Sequence, residues 1–330
     1  MSFNVKCPFH TFSAGVAVAI TVPLIVNIFT KPKVPYSLRF FSDYSKELSI
    51  AVSAALEAGK NMHKVFNDEK QEIQKKSTAI DFATETDREN ERLIFDKLKN
   101  SFPNYVLIGE ESASANGDDK ITLTNSPSFI VDPIDGTTNF VHANPFTCVS
   151  IAYVINKEPV VGVVYCPTTD ELYVAVKGKG AYLNGKPIKV SDVTSLSDAL
   201  VLTEFGYSRK PADIDKWMVC ARSVLLRGAH ALRMMGSGVL DLCYIAAGRL
   251  DACYAGVQSE GWKPWDYAAG QLIVTEAGGV MKSIWGDEFD MLGNSVVATA
   301  TEELSKDLVQ SIGQGLRSKY LYSTSGGGGR

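Results

Sequence analysis

The sequence predicts an α+β fold built in layers. Three observations carry that expectation. Residues 44–66 keep their apolar side chains on one helical stripe, and residues 148–190 read as a meander of short strands. After Ser191, helices and strands alternate without the regular rhythm of βαβ units. The chain has 330 residues, 45% apolar and 21% charged, which supplies a sizeable core. Lys and Arg number 33 against 37 Asp and Glu, a net charge of −4, which argues against nucleic acid as the main partner. The six cysteines form no C-x-x-C pair, so neither a zinc knuckle nor a redox pair is indicated.

The elements follow in order. Tyr44 to Phe66 is expected as a helix with Asp43 at its N-cap, and Glu89 to Phe102 as a second. Short strands are expected at Val106–Ile108 and Phe129–Val131, then at Val149–Ile155, Val160–Tyr165, Leu172–Val176 and Ala181–Leu183, with a hairpin turn at Asn184-Gly185. Leu200–Thr203 reads as a strand, Asp213–Leu226 as a helix, and Leu240–Ala247 as a helix stopped by Gly248. Ala252–Tyr254, Val280–Lys282 and Val296–Ala298 read as strands, Trp265–Glu276 and Glu302–Leu316 as helices. The body divides into halves at 43–195 and 196–318, and 319–330 is a Gly-rich flexible tail.

Residues 1–42 differ from the body. Thr11 to Thr30 carries no charged side chain and, at ~1.5 Å per residue, would span about 30 Å as a helix. The first acidic residue is Asp43, and Lys31, Lys33 and Arg39 follow the apolar run. That flank predicts a single-pass membrane anchor with the body facing the cytosol. The alternative is a leader that is removed, leaving an organellar or cytoplasmic protein.

Asp132-Pro133-Ile134-Asp135-Gly136-Thr137-Thr138 is the most informative stretch. Asp132 emerges at the end of an apolar strand. Pro133 removes a backbone donor there, which leaves the Ile134 carbonyl free to join two carboxylates around a hard cation. Oxygen-only ligands suit Mg²⁺ rather than zinc. Gly136 admits close backbone approach by a phosphate, and a helical turn opening at Thr137 would offer it N–H groups. Each acidic site also has a bland reading: a capped turn here, a solvated loop at Glu110-Glu111, and helix caps at Asp87 and Asp266. The four histidines lie scattered without metal spacing. Gly180 to Pro187 misses the phosphate loop pattern, because Pro187 replaces the required hydroxyl.

Taken together, DPIDGTTNFV at 132–141, WDYAAGQLIVTEAGG at 265–279, GEES at 109–112 and the Thr84–Asp87 segment resemble the inositol monophosphatase family, from about Tyr44 to Leu316. The resemblance implies a layered αβαβα sandwich, a homodimer, and Mg²⁺ at two or three sites. It implies that Glu110, Asp132 and the Ile134 carbonyl hold one ion, and that Asp132, Asp135 and Asp266 hold a second. Asp87 and Thr137 would activate the attacking water. Gly136, Thr137, Thr138, Gly236 and Ser237 would meet the phosphate or substrate, with Lys76 on a mobile basic loop. The implied activity is hydrolysis of inositol monophosphates, small phosphorylated polyols. The same chemistry on a nucleotide 3′-phosphate, sugar phosphate or histidinol phosphate is the first alternative, and a weakly active tethered interaction protein the second.

One departure stands out. The resemblance implies a Glu, the family's usual residue, directly after the strand that ends at Tyr254, where this chain has Ala255 and a longer loop from Gly256 to Pro264. Glu260 in that loop either reaches back to the substrate hydroxyls in place of the missing acid or is solvated beside a looser pocket.

Overall fold

The computed structural model describes residues 43–66, 73–75, 82–116, 121–258 and 262–318. The first half contains α1 (Ser45–Phe66), a small hairpin of β1 (Ile73–Lys75) and β2 (Phe82–Thr84), α2 (Glu85–Ser101), β3 (Val106–Gly109), α3 (Glu110–Asn116), β4 (Ser128–Asp135) and α4 (Thr137–Val141). It continues through β5 (Cys148–Ile155), β6 (Glu158–Cys166), β7 (Glu171–Val176), β8 (Ala181–Leu183) and β9 (Lys186–Ile188). The strands β3 to β9 form one sheet in sequence order, antiparallel except for the β3–β4 pair. The second half supplies β10 (Leu200–Thr203), α5 (Pro211–Leu226), β11 (Ala231–Arg233), α6 (Gly238–Ala246), β12 (Ala252–Ala255), α7 (Pro264–Glu276), β13 (Val280–Lys282), β14 (Val296–Thr299) and α8 (Glu302–Leu316). Its strands form a mixed sheet in the order β11-β10-β12-β14-β13.

Side-chain alternation along the strands builds the layers. Phe129, Val131, Val149, Ile151, Val161 and Val163 face α1 and α2. Ile130, Ala152, Val154 and Val164 face the other way, toward α6 and α7, which also cover Leu202, Cys253 and Ala298 of the second sheet. The far face of that second sheet, with Val201, Tyr254 and Val297, packs on α5 and α8. The result is helices, sheet, helices, sheet, helices: the αβαβα order. Gly162 permits the central contact, because a Cβ there would lie 2.8 Å from the Ala269 carbonyl oxygen of α7.

Several boundaries differ from expectation. The first helix starts at Ser45, and Tyr44 rather than Asp43 holds the cap position, its carbonyl accepting from Leu48 N at 3.0 Å. The second helix begins at Glu85, so Asp87 lies inside its first turn, where acidic side chains complement the helix dipole. Glu110 and Glu111 open a helix rather than a loop. The edge strands β9 and β11 escaped the sequence because each has three residues and no clear alternation. Asn184 and Gly185 both take left-handed φ, of 47° and 83°, and close the β8–β9 hairpin as an Asn-Gly turn should. Among the described residues no helix is long and apolar enough to cross a membrane; the run at 11–30 lies outside them.

The central apolar layer buries a carboxyl group. Asp241 on α6 is fully buried, and neither carboxylate oxygen has a hydrogen-bond partner. Burial pushes its carboxyl well above the usual range, and the nearby charges of Glu204 and Asp135 push it further. In the folded chain the proton is therefore retained at pH values where the unfolded chain has lost it. Stability contributed this way is full below the unfolded pKa and falls as pH rises toward the folded one, with a slope approaching about 1.4 kcal/mol per pH unit. Asp241→Asn, with no proton to lose, should match the parent's Tm near pH 4 and exceed it at pH 8. Thermal melts across that range check this, and a parallel pH dependence for both proteins would refute it.

Candidate active site

The acidic motif lies where β4 leaves the larger sheet. On β5, Ser150 stands opposite Asp132 and Cys148 opposite Asp135. Three steps on β4 thus match two on its neighbour, so one residue is extra and the strand bulges at Pro133–Ile134. In a regular strand, residues three apart face opposite sides. The bulge returns Asp132 and Asp135 to one side, that of Ser150, whose Oγ donates to the Trp265 carbonyl at 3.3 Å. Pro133 suits the bulge because it has no N–H to give the ladder. Asp132 also braces it, its Oδ1 accepting from Ile134 N at 3.0 Å.

Asp266 approaches the same point from the start of α7. Pro264 occupies the first turn of that helix, and the Asp266 carboxylate accepts from Lys263 N at 2.6 Å, which fixes its side chain. Ligand oxygens of Asp132, Asp135 and Asp266 then lie within 4.8 Å of one another. Burial raises the Asp266 carboxyl well above the carboxylate range, with the negative charges of Asp135 and Glu110 adding to it. Asp135 is raised by burial too, against hydrogen bonds that favour its charged form. Crowded, desolvated and all-oxygen, this set fits a hard divalent cation, which would relieve the repulsion that raises these groups.

Thr137 sits beside the cluster on the first turn of α4. Its Oγ1 lies 3.2 Å from Asp87 Oδ1 and 3.1 Å from the Ile134 carbonyl oxygen, so one hydroxyl proton serves two acceptors and the oxygen's lone pairs remain available to a third group. Asp87 is fully buried beneath it. Thr138 follows, exposed, on the same turn.

The second wall is the loop 235–239. The Ser237 hydroxyl donates to Asp135 Oδ2, and Val239 N donates to the same oxygen at 2.9 Å. Ser237, expected at the substrate, is buried and holds an acidic residue of the cluster in place. Two glycines bring this loop against α4. Gly136 has φ +83°, and a Cβ on it would lie 2.9 Å from the carbonyl oxygens of Gly236 and Phe146. Gly236 has φ +79°, and its absent Cβ leaves room for Asn139. Three clamps carry no signature in the sequence. Asn139 Nδ2 donates to the carbonyls of Phe146 and Met235 at 2.8 and 2.7 Å. Glu204 Oε1 accepts from Met235 N and Gly236 N, each at 2.8 Å. Glu91 accepts from Glu111 N and Ser112 N at 2.8 and 2.9 Å, and so fixes the start of α3, where Glu110 sits. Nothing local in sequence signals these contacts, since each joins distant segments. Lys76 and Glu260 lie outside the described residues, and Ala255 is buried at the end of β12.

Fold and site together define an αβαβα sandwich that brings three carboxylates close enough to hold a metal ion. A sequence model of the inositol monophosphatase family matches residues 43–316, and the chain belongs to that family. It is 47% identical over 252 residues to inositol monophosphatase 1 of Solanum lycopersicum, covering 76% of this chain and 89% of that one. It is 40% identical to inositol monophosphatase 2 of Homo sapiens, covering 79% and 88%. Among solved structures it resembles the extragenic suppressor protein suhB of Bartonella henselae, with a TM-score of 0.71 and 30% identity over 81% of this chain and 98% of that one. The inositol monophosphatase of Anabaena gives a TM-score of 0.68 and 31% identity over 81% and 95%.

The Gly136 geometry yields a direct test. Gly136→Ala forces a side chain into left-handed backbone, about 1–2 kcal/mol, and drives its methyl into two carbonyl oxygens. Tm should fall by roughly 2–4 °C per kcal/mol, and phosphatase turnover should fall with it as the 235–239 loop loses its seat. A variant that melts and turns over like the parent would contradict the close approach of α4 and the loop.

Proposed function

We propose that the chain is a Mg²⁺-dependent phosphomonoesterase that hydrolyses inositol monophosphates to inositol and phosphate. The observation that carries this reading is the convergence of Asp132, Asp135 and Asp266 beside the Thr137–Asp87 pair. The identity to inositol monophosphatases of plant and human origin supports the substrate. Glu110, Asp132 and the Ile134 carbonyl would hold one ion and Asp132, Asp135 and Asp266 a second. When bound, the ions supply charge stabilisation to the phosphoryl oxygens and acidify water. Thr137 Oγ1 orients the attacking water by accepting from it, while its own proton is held by Asp87 and the Ile134 carbonyl. The Gly136 and Thr137 amides, with exposed Thr138, receive the phosphate at the start of α4. Ser237 and Val239 keep the Asp135 carboxylate aimed inward. We further propose a homodimer, anchored through residues 11–30 with the body facing the cytosol. Resistance to alkaline extraction from membranes tests the anchor.

Phosphate release from a panel of monoesters, with and without Mg²⁺ and Li⁺, tests the activity. Asp266→Asn should reduce turnover by at least about 100-fold. It should also raise Tm in metal-free buffer, because one of the mutually repelling carboxylates is gone. Protons compete with the cation for the raised Asp266 and Asp135 carboxyls, so apparent Mg²⁺ affinity should climb with pH and climb less steeply in Asp266→Asn. Full activity in that variant, or Mg²⁺ affinity flat with pH, would sink the assignment.

A further inference from the structure

The loop between β12 and α7 sets an aromatic ring against the 237–239 segment that bonds Asp135. Trp262 lies one residue before Lys263, whose N–H donates to the Asp266 carboxylate. Its indole rests on Gly238: a Cβ on that glycine would lie 2.8 to 3.0 Å from three atoms of the ring. The indole therefore covers the Gly238 Cα closely, and only glycine leaves the space. Gly238 stands between Ser237 and Val239, both of which donate to the Asp135 carboxylate. Tyr267 supports the ring from behind, centroids 5.6 Å apart and tilted by 41°. The indole remains half-buried, so part of it is open. An apolar ring thus adjoins the backbone that orients one acidic residue of the cluster and lies four residues before another.

The neighbouring strand end makes this placement informative. Glu204 and Ala255 follow the last paired residues of β10 and β12 in parallel register, and Ala255 offers no side-chain acceptor. Glu204 is spent on the backbone of the 235–236 loop. The chain thus lacks a hydroxyl acceptor at Ala255 and presents a flat apolar surface at Trp262 instead. Such a surface favours a ligand by the C–H face of a ring rather than by its pattern of hydroxyls.

Resting on the phosphomonoesterase reading above, we propose that Trp262, seated on Gly238, is a specificity-determining residue that selects cyclic polyol and sugar monophosphates over open-chain esters by packing against the face of the substrate ring. The test is the ratio of kcat/KM for inositol 1-phosphate to that for glycerol 2-phosphate. In Trp262→Ala the ratio should fall about tenfold, chiefly through KM for the cyclic substrate. Trp262→Phe keeps a ring and should hold the ratio within about threefold. Gly238→Ala should lower it as Trp262→Ala does, because its methyl displaces the indole. Circular dichroism and Tm identify any variant that fails to fold. Equal losses on both esters, or an unchanged ratio in Trp262→Ala, would overturn the proposal. Calorimetric titration with inositol 1-phosphate in Ca²⁺ gives a reading independent of turnover. Weakened binding in Trp262→Ala and restored binding in Trp262→Phe support the inference even if the parent hydrolyses neither ester; equal binding in all three rejects it.

Discussion

The structure depends on one extra residue in β4. Without the bulge at Pro133–Ile134, Asp132 and Asp135 would point to opposite faces of the larger sheet, one into the α1–α2 layer and one toward α7. With it, both reach the side where α7 begins and Asp266 waits. The same distortion turns the Ile134 carbonyl toward the Thr137 hydroxyl and delivers the chain into the left-handed Gly136 that starts α4. A local departure from strand geometry thus assembles two acidic residues, a carbonyl and a hydroxyl in six residues of sequence.

Holding those groups together opposes folding stability. Three carboxylates within 4.8 Å repel, and burial deepens the cost. The surrounding chain offsets it with oriented donors: Ile134 N to Asp132, Ser237 Oγ and Val239 N to Asp135, Lys263 N to Asp266. These donors leave the outer face of the cluster to a cation. Glu204, Asn139 and Glu91 act one step further out, on the backbone that carries those donors and acids. Rigid placement of this kind is what charge stabilisation in phosphoryl transfer requires.

The central strands and the last two helices were legible because hydrophobic period and turn residues agree there, whereas the layer order was implied only by the family resemblance; α8 and β13 fall where the pattern puts them. The motif residues were legible as a set, but their geometry was not. Period two places Asp132 and Asp135 on opposite faces, and only the pairing with Ser150 and Cys148 reveals the bulge. The early start of α2 was missed because Glu85 and Thr86 are neutral in pattern yet favoured at a helix N-terminus. Ser237 was expected at the substrate, and its hydroxyl turns to Asp135 instead. Asp241 reads as an ordinary polar position on a helix, although the fold buries it without a partner.

The central claim is that the β4 bulge and the start of α7 present Asp132, Asp135 and Asp266 to a common cation. Crystals of the full chain grown with Mn²⁺, a hard ion with the same preference for oxygen, test it most directly through anomalous diffraction. A peak lying between those three carboxylates is expected, with Asp132 and Asp135 on the same side of the strand. A peak ligated elsewhere, or Asp132 and Asp135 on opposite faces of a regular strand, would contradict it.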